Sequence, residues 1–159
     1  MVKTGIGYDI HRFVKGRRLF LGGVEIPYPK GLLGHSDADV LLHAVCDALL
    51  GAAGAGDIGE HFPDTDRRYK DISSVELLRR VAAVVKSKKY KISNIDAVVI
   101  LEEPKLTQYK KKIREKICRV LKINADHVNV KAKTHEGLGV IGKGLAVSSY
   151  CVATLKRGS

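Results

Sequence analysis

Gly34-His35-Ser36-Asp37-Ala38-Asp39-Val40-Leu41-Leu42-His43-Ala44 sets two histidines, two carboxylates and a hydroxyl at the entry of a helix whose other positions are apolar. Ser36-x-x-Asp39, ahead of Val40, Leu41, Leu42, Val45 and Leu49, reads as a capping-box-like start. The spacing therefore predicts a helix from about Ser36 to Leu50, broken by Gly51, Gly54 and Gly56, with His35 left on the loop before it. His43 falls one turn beyond Asp39 on the same face. Such a polar group is either a cap with solvated neighbours or a site.

The chain's start weighs toward a site. In Gly5-Ile6-Gly7-Tyr8-Asp9-Ile10-His11-Arg12-Phe13, Asp9 and His11 stand at i and i+2, so at a strand end both project to one face. Two imidazole nitrogens and one carboxylate oxygen form a three-ligand set of the catalytic zinc type, with a position left for water or substrate. Asp9, His11, His35 and His43 together, with a glycine-rich lead-in, are the candidate constellation.

Outward from these stretches the remaining elements follow by period and punctuation. Lys3 to Tyr8 reads as a strand whose Gly5 and Gly7 permit close backbone approach. Arg18–Leu21 and Val24–Ile26 flank Gly22-Gly23 as a hairpin, ended by Pro27 and Pro29. Asp57 to Asp66 is loop-like, rich in Gly, Pro and Asp, and its aspartates could orient hydroxyls. Ser73-x-x-Glu76 opens a helix with Val75, Leu78, Ala82 and Val85 at helical spacing. Ile92 to Leu101 reads as a strand with Ile95, Ala97, Val99 and Leu101 on one face. Pro104 suits the first turn of a helix striped by Leu106, Tyr109, Ile113, Ile117 and Val120. Val128–Ala132 and Ala146–Leu155 are the last strands. The order points to a single α+β domain over residues 1–159, a sheet with helices packed on one face in a ferredoxin-like split β-α-β sandwich. Its other sheet face then needs a partner or a polar surface.

Composition is consistent with that class. At 159 residues and 45% hydrophobic content the chain can bury a core without staples. No apolar run approaches the roughly 18 residues of a membrane helix, and no signal peptide is evident, so the cytoplasm is the expected compartment. Cys46, Cys118 and Cys151 are odd in number and widely spaced, as reduced buried thiols would be. The net charge of +11 suits an anionic partner, but much of it sits in Lys86–Lys91 and Lys105–Lys122, which read as an outer helix face.

A second anion site is legible in Lys131-Ala132-Lys133-Thr134-His135-Glu136-Gly137-Leu138-Gly139. Lysines, a hydroxyl and loop amides suit phosphate oxygens, and Glu136 could hold Mg²⁺. Glu102-Glu103-Pro104-Lys105 is another strand-to-helix corner with free amides.

Gly7 to Phe13, Gly34 to Ala44, Asp57-Ile58-Gly59-x-x-Phe62-Pro63-Asp64-Thr65-Asp66 and Pro104-Lys105 resemble the motifs of the 2-C-methyl-D-erythritol 2,4-cyclodiphosphate synthase family, from about Lys3 to Leu155. The resemblance implies a homotrimer of α+β subunits with active sites between neighbours; the cytidylyltransferase domain fused to it in some relatives is not expected among residues 1–159. It implies one Zn²⁺ per subunit on Asp9, His11 and His43. A second ion, Mg²⁺ or Mn²⁺, would bridge Glu136 and the substrate diphosphate. His35 and Thr134 match the catalytic positions. Substrate contacts are implied for Asp9, Ile10, His11, His35 and Ser36, and for Asp57, Ile58, Gly59, Phe62, Pro63, Asp64, Thr65 and Asp66. Leu101, Pro104, Lys105, Leu106 and Thr107 match the loop enclosing cytosine. Lys133, Thr134, His135, Glu136, Val140 and Lys143 complete the set.

Two features depart from the family pattern. Lys133-Thr134-His135 replaces three consecutive threonines, and Gly142-Lys143-Gly144-Leu145-Ala146 shortens a segment that usually carries arginine. The implied reaction converts 4-diphosphocytidyl-2-C-methyl-D-erythritol 2-phosphate to the 2,4-cyclodiphosphate with release of CMP, in the non-mevalonate route to isoprenoid precursors. On the residues alone, a metal-dependent phosphoesterase acting on a nucleotide-linked substrate uses the same ligands. A basic nucleic-acid module is disfavoured, because no aromatic-rich sheet motif is present.

Overall fold

The structure, a computed structural model, describes residues 1–158. Its elements are β1 (Val2–Lys15), β2 (Leu19–Leu21), β3 (Val24–Ile26), β4 (Lys30–Leu32), α1 (Val40–Ala53), α2 (Ile58–His61), α3 (Ser74–Ser87), β5 (Tyr90–Ile100), α4 (Lys110–Leu121), β6 (Val128–Lys133), α5 (Gly139–Gly142) and β7 (Ala146–Arg157). Five strands form one sheet in the order β4-β1-β7-β5-β6, and β2 and β3 form a separate ribbon.

β7 lies antiparallel between β1 and β5, so β1 and β5 run parallel with a strand between them, the expected split β-α-β unit. The second unit is not split. β5 and β6 pair directly and in parallel from Ile95↔Val128 to Ile100↔Lys133, with α4 crossing between them. This departs from the strict ferredoxin-like arrangement, because β7 has already filled the gap beside β1.

Strand alternation sorts the two faces. Ile95, Ala97 and Val99 of β5 and Cys151, Ala153 and Leu155 of β7 are buried beneath the helices. Complete burial of a Val, Leu or Ile side chain contributes about 1.5–3 kcal/mol, so this stripe fixes each strand's register. The opposite face bears Ile6, Tyr8, Ile10, Tyr150 and Val152, all exposed, with the Tyr8 and Tyr150 rings 4.7 Å apart. All three cysteines are buried and unpaired, as expected. Among the described residues no helix is long and apolar enough to cross a membrane.

Several boundaries move. β1 runs on through Lys15, so Asp9 and His11 lie within a strand, not at its end. The strand continues because β7 pairs with it residue for residue as far as Arg12. α1 starts at Val40 instead of Ser36: Ala38 adopts φ +56°, which ends any helix reading before it, and Asp39 is the cap. α1 also extends three residues past Leu50, to a left-handed Gly54. α4 begins at Lys110, which leaves Pro104 in a loop. β4, α2 and α5, each four residues or fewer, were not anticipated.

Candidate active site

The two glycines of β1 build the site. A β-carbon on Gly5 would overlap the Ala48 carbonyl oxygen, and one on Gly7 the Ala44 carbonyl oxygen, so α1 lies directly on the strand. The same strand face continues into Asp9 and His11, and the same helix face continues back to His43. Asp9 Oδ2 lies 2.8 Å from His11 Nε2 and 2.9 Å from His43 Nδ1, and those nitrogens are 3.3 Å apart. Donors about 2.0–2.2 Å from a tetrahedral zinc stand roughly 3.3 Å from one another, so the triangle needs little adjustment to hold one. The donor set fits the metal read from the sequence.

Each histidine is turned by its other nitrogen. His11 Nδ1 bonds the Leu33 carbonyl at 2.7 Å, which leaves Nε2 for a metal. His43 Nε2 meets Ser74 Oγ at 3.0 Å and Ser36 Oγ at 3.1 Å. Burial alone would raise the Asp9 carboxyl, but the hydrogen bonds and charges of His11 and His43 outweigh it and hold it down at about 2. Burial pulls His11 the other way from Asp9, whose hydrogen bond and charge win, so its pKa is raised.

Asp39 has another task. Its two oxygens accept the N–H groups of Gly22 at 2.9 Å, Gly23 at 2.7 Å and Leu42 at 3.0 Å, pinning the hairpin turn to the start of α1. Gly22 and Gly23, both at positive φ, make that turn. Burial and the nearby charge of Asp37 push Asp39 up to about 6 against these three donors.

His35 sits on the loop before α1, its Nε2 buried and without a hydrogen-bond partner among the described residues. The Arg17 guanidinium brackets it, donating to the Gly34 carbonyl at 2.9 Å and the Ser36 carbonyl at 2.5 Å. Asp47, one turn beyond His43, accepts from Ile58 N–H at 2.7 Å and so joins the Asp57–Asp66 segment to α1. Asp57 caps α2 through Glu60 N–H, Asp66 is paired with Arg68, and Phe62 packs edge-on to Tyr69. Gly59, Pro63, Asp64 and Thr65 are exposed, and Ile58 is half-buried.

The second cluster lies across the sheet. Asp9 aligns with Ser149, Ser149 with Val99, and Val99 with Ala132, so three strand spacings, about 14 Å, separate β1 from β6. Lys133 ends β6 and Thr134, His135 and Glu136 follow it, and Leu101 to Thr107 follows β5. Glu102 Oε1 accepts His135 N–H at 2.7 Å and Gly137 N–H at 3.5 Å, tying these two loops together. Glu136 and Gly137 both have positive φ there. One chain thus gathers Asp9, His11 and His43 but leaves Glu136 outside that group. Leu101 and Leu106 are buried in the core, which takes their side chains out of reach of a ligand; Pro104 is half-buried, and Lys105, Thr107, Val140 and Lys143 are exposed.

Arg17, Asp47 and Ser74 were missed as site residues, and Asp37 and Glu102 were read only as members of their segments, with no role of their own. For Asp47 a signal existed: Asp39, His43 and Asp47 form an i, i+4, i+8 polar stripe on an apolar helix. The expected outer lysine face is in part a groove of about 1280 Å³ between α3 and α4, lined by Lys86, Lys89, Lys91, Arg119 and Lys122 over aliphatic residues, and away from the metal-binding group.

Comparison with known proteins covers the same span. The model of the YgbB family matches residues 2–156. A curated protein of Fusobacterium nucleatum named 2-C-methyl-D-erythritol 2,4-cyclodiphosphate synthase is 52% identical over 157 residues, 99% of this chain and 98% of that one. One of the same name from Clostridium acetobutylicum is 54% identical over 154 residues, 97% of this chain and 99% of that one. A solved structure of IspF from Plasmodium falciparum in complex with CDP is similar at a TM-score of 0.87 and 37% identity, over 99% of this chain and 97% of that one.

Proposed function

The chain belongs to the YgbB family, the lyases of 2-C-methyl-D-erythritol 2,4-cyclodiphosphate synthesis, and on that premise we propose that it closes this ring in the cytoplasm from 4-diphosphocytidyl-2-C-methyl-D-erythritol 2-phosphate, releasing CMP. The observation that carries the metal-dependent form of this reading is the donor triangle of Asp9, His11 and His43. Zn²⁺ bound there supplies Lewis-acid polarisation of phosphoryl oxygen.

The substrate's 2-phosphate oxygen forms a bond to the β-phosphorus. The bond from that phosphorus to the CMP phosphate oxygen breaks, and CMP leaves with the electron pair. No protein nucleophile is needed. In keeping with this, burial pushes the Cys151 thiol up to about 12 and Cys46 well above its usual value. His35 and Thr134 stabilise charge on the transferring group. Asp57, Asp64 and Asp66 orient hydroxyls, the 101–107 loop encloses cytosine, and Lys133 grips phosphate. Glu136 would hold a second divalent ion. Aligning attacker and phosphorus within one molecule is worth on the order of 7–11 kcal/mol.

The working unit in this reading is a homotrimer. Its support is twofold: the apolar sheet face of Ile6, Tyr8, Ile10, Tyr150 and Val152, and the distance between the two clusters of one chain. A neighbour's Glu136 loop, set beside Asp9, would complete the site, with Val140 and Lys143 near the assembly axis.

³¹P NMR of the protein with the cytidyl substrate, Zn²⁺ and Mg²⁺ tests the reading. CMP with a coupled pair of cyclic diphosphate resonances is expected. CMP with a linear bisphosphate or inorganic phosphate would make water the nucleophile and the protein a phosphoesterase.

A further inference from the structure

We propose that Ser74 and Asp37 are positioning residues that fix the tautomer and rotation of His43 for metal binding; this rests on the reading of Asp9, His11 and His43 as a zinc centre. The nitrogen of His43 that faces the other two donors is Nδ1. With that lone pair on a metal, the ring's one proton must sit on Nε2, and Nε2–H must find an acceptor. Two hydroxyls are in reach, Ser74 Oγ at 3.0 Å and Ser36 Oγ at 3.1 Å.

A hydroxyl alone cannot choose a tautomer, because it donates as readily as it accepts. Asp37 makes the choice for Ser74. Its carboxylate only accepts, and Ser74 O–H donates to Oδ1, so the lone pairs of Ser74 are the ones turned to His43. Asp37 is itself held by Ser74 N–H at 3.0 Å and Asp39 N–H at 3.2 Å. The relay runs Nε2–H to Ser74 Oγ, then Ser74 O–H to Asp37, and every hydrogen has one direction.

Ser36 has no carboxylate behind it. Its oxygen also accepts Ala38 N–H at 3.2 Å, and its own hydrogen is free for another acceptor. The two serines therefore differ in task. Ser74, fully buried as the first residue of α3, locks the imidazole, and Ser36 is free to meet substrate. The lock also makes the seating of α3 a condition of metal affinity.

The test is Zn²⁺ affinity, by competition with a chromogenic chelator, for the wild type and the Ser74→Ala, Asp37→Asn, Ser36→Ala and His43→Ala variants. Long-range ¹H–¹⁵N spectra of the imidazoles of the Zn²⁺-loaded proteins run alongside. Loss of 10–100-fold in affinity is expected for Ser74→Ala and Asp37→Asn, with a shifted His43 Nε2 resonance and retained helix content. Ser36→Ala should stay within about threefold of wild type in Zn²⁺ affinity. Wild-type affinity in both Ser74→Ala and Asp37→Asn, alongside loss in His43→Ala, would overturn the relay and leave the zinc centre standing. If Ser74→Ala fails to fold, Asp37→Asn decides by the same measure. A wild type that does not bind Zn²⁺ would overturn the centre and the relay together.

Discussion

Gly7 of β1 meets Ala44 of α1 backbone to backbone: there is no room for a β-carbon between the glycine and the alanine's carbonyl oxygen. The distance from strand to helix at this point sets the distance from Asp9 and His11 to His43.

Gly7→Ala should therefore act on stability and metal affinity at once. Overpacking against backbone cannot be relieved by a rotamer change, so a loss of about 2–3 kcal/mol in denaturant unfolding is expected. Zn²⁺ affinity should fall at least tenfold in the fraction that folds, read by chelator competition. Unchanged affinity would separate the centre from helix seating.

Asp39 makes stability pH-dependent in an unusual direction. Its pKa of about 6 in the fold exceeds the ordinary 3.8, so the folded state binds its proton more tightly. That contribution is complete below pH 4 and is lost as pH rises through 6, on the order of 3 kcal/mol. Asp39→Asn should be less stable throughout, because its amide faces Gly23 N–H, but its stability should lack this fall between pH 4 and 6. Urea unfolding of both proteins across that window checks the difference in slope.

Glu102 bonds the backbone of the loop that carries Thr134 and Glu136 while standing in the loop that follows β5. Glu102→Ala releases two N–H groups at a left-handed turn. Hydrogen bonds to a charged group are worth about 1.5–3 kcal/mol, so KM for the cytidyl substrate should rise about tenfold or more. kcat should fall less, since Asp9, His11 and His43 are untouched. Steady-state kinetics with Glu102→Gln as the conservative control reads this split.

The apolar face should decide assembly. On the proposed trimer, placing charge there with Ile6→Glu and Tyr150→Glu together should give a monomer in light scattering where the wild type gives three subunits, with the helix content of each subunit retained. Turnover should be lost with the trimer, because Glu136 and the centre on Asp9 would then stand at opposite sides of a lone sheet.

The donor triangle of Asp9, His11 and His43 was legible because its chemistry is local. Asp9 and His11 declare themselves by residue type and a two-residue period, and His43 by its place on an apolar helix. What surrounds them was not. Ser36-x-x-Asp39 and Asp39 alone are both acceptable caps on paper, and the choice falls to Ala38 at φ +56° and to two glycines of a hairpin 16 and 17 residues away. Ser74 is only an unassigned position inside the Ser73-x-x-Glu76 capping box until α3 packs beside α1 and brings it to His43. The β5–α4–β6 unit was readable as strand, helix and strand. That β6 pairs with β5, while β7 enters between β5 and β1, depends on contacts across the whole chain.

β1 carries two messages on one strip, one on each face. Its odd positions, Gly5 to His11, meet the helix and build the donor triangle with His43, and its even positions, Ile6 to Ile10, form the apolar outer surface. Substitutions can edit either message separately, but an inserted or deleted residue between Gly7 and Asp9 exchanges them, sending the ligands outward and the apolar side chains in. In this strand the number of residues is under tighter constraint than the identity of most of them.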